Sequence, residues 1–228
     1  MRTHPKPATA GWFTAVALVL TACNSRETQA LLQPPQALGV VLAEEAARAA
    51  GANKRVALIA PDAHWGPAST VEETFRNAMQ KRGISVVIVK SADLGDPMRS
   101  RPRLKSVDFL EALGKATNAG AVVSIVGAPE LAPQDVARLG SGHPPALVVA
   151  TMTLGAVPGV AGDRIQLANL LEAGVIQLAI VDGAEPAPPI AGKLDATHGV
   201  FAQHYRMLRS QDAKLQGPVS LLPTGCTG

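Results

Sequence analysis

The residues of this chain best suited to chemistry sit in short polar loops, each following an apolar run. The loop Pro61-Asp62-Ala63-His64-Trp65-Gly66-Pro67 places a carboxylate, an imidazole and an indole within four positions. A flat ring beside hydrogen-bonding groups suits saccharides and planar ligands. The same residues also suit a plain turn, with Asp62 as a cap and Trp65 packed on a neighbouring loop. Later apolar runs are followed by Asp93, by Gly127-Ala128-Pro129-Glu130, by Thr151-Met152-Thr153 and by Asp182-Gly183. Asp62, His64, Trp65, Asp93, Glu130, Thr151 and Asp182 are therefore the ligand-binding candidates. Each position after Trp65 has an ordinary alternative as turn chemistry.

Other patterns argue against catalysis. Asp62, His64, His143, Asp182, His198 and His204 include no helical HExxH pair and no cysteine pair, so no metal is expected. There is no Gly-x-Ser-x-Gly elbow, and Ser124 lies inside an apolar run. Gly155, Gly159 and Gly162 precede Asp163, but neither a dinucleotide nor a P-loop spacing is met, and Asp163 reads as an N-cap. No cofactor and no catalytic residue is assigned, and the chain reads as a non-enzyme. Arg99, Arg101, Arg103 and Lys105 alternate, so an extended backbone would put them on one side. They read as a solvated loop, with lipid headgroups or an acidic partner as the alternatives.

The elements that must carry these loops are legible from periodicity. Helical spacing over 36–50 stops at Gly51. β-branched runs then recur at 55–60, 84–89, 121–126, 146–150 and 175–181, separated by helical patterns at 69–82, 107–118, 133–139 and 163–173. Near-continuous apolar strands alternating with Gly-ended helices predict a parallel sheet covered on both faces. The expectation is an α/β fold with a doubly wound five-stranded parallel sheet in the order 2-1-3-4-5, its ligands bound at the carboxyl ends of the strands. The segment 198–209 suits either a closing edge strand or a helix. One domain is expected over 36–210, with a tail at 211–228.

Composition agrees. The chain has 228 residues, 47% hydrophobic and 17% charged, enough for a sizeable core and unlike a disordered chain. The 21 Gly and 18 Pro stay below a low-complexity content. Residues 1–22 have the form of a signal peptide: Arg2, His4 and Lys6 precede an apolar stretch over 10–20 that is too short to span a bilayer. Removing Arg2 and Lys6 would lower the formal charge from +3 to +1, so nucleic acid is not an expected partner. Residues 23–35 are polar, end in Pro34-Pro35 and read as a tether. Cys226 stands in a Gly-rich tail, either idle or paired between molecules.

Two resemblances sharpen this reading. Leu20-Thr21-Ala22-Cys23 resembles the lipobox of bacterial lipoproteins. That implies cleavage before Cys23, a diacylglycerol thioether on its sulfur and an acylated amino terminus. Asn24, where inner-membrane lipoproteins carry Asp, implies the periplasmic face of the outer membrane. The succession KRVALIAP, RGISVVIV, AGAVVSIVGAP and PPALVVAT, over roughly 54–184, resembles one lobe of the type I periplasmic binding proteins. That family holds its ligand between two lobes. A single lobe is readable here, and one lobe cannot close as a clamshell. The expected function is therefore a lipid-anchored envelope protein that binds a small molecule or a protein partner. The alternative is an assembly subunit of an envelope complex with no ligand pocket, and a hydrolase on the same scaffold comes third.

Overall fold

A computed structural model describes residues 13–62, 67–92, 104–139, 142–151, 161–183 and 195–211, with side chains from Thr28 onward and, in its fifth helix, from Ile165. The elements run α1 (Phe13–Ala50), β1 (Arg55–Pro61), α2 (Pro67–Lys81), β2 (Ser85–Ala92), β3 (Leu104–Lys105), α3 (Ser106–Lys115), β4 (Ala121–Ser124), β5 (Pro129–Glu130), α4 (Pro133–Leu139), β6 (Ala146–Ala150), α5 (Ala161–Glu172), β7 (Leu178–Asp182), α6 (Ala196–His204) and β8 (Tyr205–Arg209). A single 3-10 turn, Gly51–Asn53, links α1 to β1.

The main sheet has the order β2-β1-β4-β6-β7-β8. Its first five strands are parallel, which is the 2-1-3-4-5 order expected from the sequence. β8 closes the edge antiparallel to β7, pairing Tyr205 with Asp182 and Arg209 with Leu178. The segment 198–209 thus divides between the end of α6 and β8. A two-stranded parallel satellite, β3 with β5, pairs Lys105 with Glu130.

Both faces of the sheet are covered because its strands are apolar on both. In β1, Val56, Leu58 and Ala60 pack toward α1, α2 and α6 with Leu38, Leu42, Phe75 and Phe201. Ala57 and Ile59 pack the other way, with Phe109 and Leu113 of α3 and Leu170 and Leu171 of α5. The helices present matching stripes: Val71, Phe75, Ala78 and Met79 of α2 are buried at helical spacing. Gly83, at φ 67°, ends α2. The Ile84 N–H returns to the Met79 carbonyl at 3.0 Å and the Gly83 N–H to that of Gln80 at 2.9 Å, the two bonds of a Schellman turn.

α1 begins well before the expected helix at 36–50, and the stretch read as a tether is helical, with Pro34 and Pro35 inside it. Leu31 is 77% exposed, whereas Ala37, Leu38 and Leu42 are buried. Packing against the domain thus starts within a residue or two of the expected helix start. Among the described residues no helix is long and apolar enough to cross a membrane.

Candidate functional site

The parallel strands deliver their carboxyl ends to one rim, and strand order reverses between β1 and β4 because β1 is flanked by β2 on one side and β4 on the other. At that point the chain is tightly held. The Asp62 N–H donates to the Ala92 carbonyl at 3.2 Å, and the Ile125 N–H to that of Ile59 at 3.1 Å. The buried Ser124 hydroxyl donates to the Gly127 carbonyl at 2.8 Å and accepts from the Val126 N–H at 3.4 Å. Its task is to turn the chain at the end of β4. The Gln166 amide then donates to the Pro129 carbonyl at 3.2 Å, fixing the satellite strands to α5.

Around this frame the sequence candidates fall into three groups. Thr151 and Asp182 stand side by side, each one residue past the paired Ala150 and Val181. Thr151 is 0% exposed, and its hydroxyl has no hydrogen-bond partner among the described residues. Asp182 is half-buried and already engaged. Asp62 is exposed at the end of β1, with β4 between it and β6. Glu130 is exposed and engaged on the satellite pair, apart from the others. His64, Trp65 and Asp93 lie outside the described residues, as do Arg99, Arg101 and Arg103; Lys105 is exposed in β3.

The best-defined polar clusters are ones that sequence reasoning did not assemble. Glu44 of α1 accepts from Arg82 at 3.1 Å and meets the Nε2 of His198 at 2.9 Å. Asp195 caps α6, accepting the His198 N–H at 2.9 Å, and its carboxylate also meets the imidazole Nδ1 at 3.0 Å. The hydrogen bond to Asp195 raises the His198 pKa; burial opposes this and Glu44 reinforces it. Asp195 is lowered in turn, chiefly by the His198 backbone N–H. On the opposite face Lys90 of β2 bonds Glu111 at 2.7 Å and pairs with Asp108 at 2.9 Å. With Lys115 first and Lys90 second, these cations lower the Glu111 carboxyl to about 2. The first cluster ties α1 to the turn after α2 and to α6, and the second ties α3 to the sheet at β2. Glu44, Asp108 and Glu111 are polar positions in helical segments, which do not reveal their partners.

No protein-family model matches the chain, and no curated protein matches it by sequence. Solved structures with a similar arrangement include an ABC transporter solute-binding protein from Burkholderia graminis in complex with D-arabinose, at 19% identity and TM-score 0.41 over 65% of this chain and 47% of that one. An arabinose-binding protein from Geobacillus stearothermophilus matches at 14% identity and TM-score 0.47, over 79% of this chain and 62% of that one. A protein from Mycobacterium smegmatis matches at 17% and TM-score 0.42, over 82% and 60%. The chain spans about half to three-fifths of the length of these proteins. At these values the likeness is one of architecture alone.

Proposed function

We propose that this chain is a lipid-anchored protein of the bacterial envelope, held by Cys23 at the periplasmic face of the outer membrane. Its α/β lobe binds a small molecule at the carboxyl ends of its strands. The anchor rests on the basic start, the short apolar run and Leu20-Thr21-Ala22-Cys23. The binding role rests on one observation above the others: the buried hydroxyl of Thr151, one residue past the end of β6 and without a hydrogen-bond partner among the described residues. Buried polar groups are almost always hydrogen-bonded, and an exception at the rim where open α/β sheets bind ligands calls for an external partner. Asp182 beside it supplies a carboxylate, and Asp62, His64, Trp65 and Asp93 complete the proposed rim.

A thermal-shift screen of the full chain in non-ionic detergent, against sugars, amino acids and nucleosides, tests this. A hit whose shift is lost in both Thr151→Val and Trp65→Ala supports the rim. A hit unaffected by either places binding elsewhere and ends the proposal. The assembly reading is favoured by a separate observation. Val107 at the start of α3 is 63% exposed and Ile165 of α5 is 55% exposed, both on the helix layer of the satellite strands. That reading predicts no hit in the screen, and loss of a co-purifying envelope protein on Ile165→Asp.

A further inference from the structure

The end of the sheet opposite the rim carries a second feature. α6 has nine residues and finishes beside Tyr205, the β8 residue paired with Asp182 at the carboxyl end of β7. The amino ends of β6 and β7 are therefore left open beside the last turns of α1. A cleft of ≈ 290 Å³ results, lined by Glu45, Arg48, Gln177 and Arg209, with Leu147 and Leu178 at its floor. Its volume lies just below the range of those that hold drug-sized ligands, about 300–1,000 Å³, and suits a smaller molecule.

Among the described residues, the charges in this cleft do not balance. The Glu45 side chain is 5% exposed, and its single oxygen Oε1 accepts from Arg209 at 2.8 Å and also from Arg48. Neither guanidinium pairs with another carboxylate among the described residues. Two cations on one buried anion leave one positive charge. Among the described residues they also leave most of ten guanidinium N–H donors, five on each group, unspent. Arg48 is 63% exposed and Arg209 34%, so both can turn a fork toward an incoming group without leaving Glu45 unpaired.

We propose that this cleft is a binding site for a small carboxylate with a short apolar body. The carboxylate takes the free N–H groups of Arg48 and Arg209, and the body lies on Leu147 and Leu178. A dianionic phosphate fits less well, because its second charge would face Glu45 across a site with one positive charge to spare. The site is independent of the rim, since the two lie at opposite ends of the strands.

Calorimetric titration of the full chain in non-ionic detergent tests the assignment with pentanoate, pentanol, acetate and inorganic phosphate. Pentanoate should bind at least about tenfold more tightly than each of the others, a difference of about 1.4 kcal/mol. Arg48→Gln removes one fork while the buried Glu45–Arg209 pair stays intact, and it should weaken pentanoate about tenfold. Arg209→Lys keeps the charge but not the fork and should weaken it also. Binding of pentanol or phosphate equal to pentanoate, no pentanoate binding, or unchanged affinity in both variants would overturn the proposal. Acetate equal to pentanoate would remove the apolar floor from it.

Discussion

Thr151 and Val have nearly the same shape, so Thr151→Val isolates the hydroxyl. An unsatisfied buried hydroxyl costs about 1–3 kcal/mol. Thr151→Val should therefore raise the ligand-free unfolding free energy by about 1 kcal/mol in urea titrations, while weakening any rim ligand. A loss of stability would show that the hydroxyl is already satisfied. Thr151 and Asp182 could be placed at strand ends from the sequence, because strand ends are legible and the rule for open α/β sheets names their loops. Glu44 and Glu45 were legible only as polar positions in a helix. Their decisive partners, His198 and Arg209, lie 154 and 164 residues away, and no local pattern encodes such a pairing. Ser124 was correctly placed inside a strand, but its hydrogen bond to the Gly127 carbonyl depends on how the chain turns after β4.

Between elements, two glycines separate intrinsic propensity from packing. Gly114 of α3 is exposed, with nothing within 4 Å of an added Cβ, so Gly114→Ala should stabilise by about 0.8–1 kcal/mol, the ordinary helix preference. Gly39 is also helical, but a Cβ there would lie 2.8 Å from the Val71 carbonyl oxygen and 2.8 Å from the Thr74 Cβ. Relief requires α1 and α2 to move apart, at about 1–3 kcal/mol, which exceeds the propensity gain. Gly39→Ala should therefore lower the melting temperature while Gly114→Ala raises it; a rise in both would show that the α1–α2 contact yields freely. The junction of α1 with α6 is pH-dependent. The His198 pKa is raised above 6.5, so its contribution is fully present below 6.5 and fades as pH rises through the folded-state value. The imidazole is 34% exposed, which holds this contribution below about 1 kcal/mol. Wild type should exceed His198→Asn in stability at acidic pH, and the gap should close in alkaline buffer. A constant gap would assign the effect to packing.

For the whole molecule, the address and the fold are separable. Under the lipoprotein proposal, Cys23→Ser should abolish lipid labelling and leave unprocessed precursor while the domain keeps its thermal transition; labelling that persists would refute it. The fold itself was written locally. β-branched runs such as RVALIA and ALVVA can be buried on both faces, and Gly83 and Gly174 stop helices at positive φ, so the direction and order of the five parallel strands followed from pattern and right-handed crossovers, whereas the antiparallel β8 and the satellite pair β3–β5 did not. What tertiary structure decided was where polar groups meet. It made α1 one helix through Pro34 and Pro35, divided 198–209 between a helix and an antiparallel edge strand, and drew Arg209 onto Glu45, already paired with Arg48 on the same helix. Hydrophobic burial repeats along the chain with the period of each element and can be read from one segment at a time. The pairings of Glu44 with His198 and of Glu45 with Arg209, and the cleft left where a short helix ends, depend on residues more than a hundred positions apart and exist only once the layers have packed.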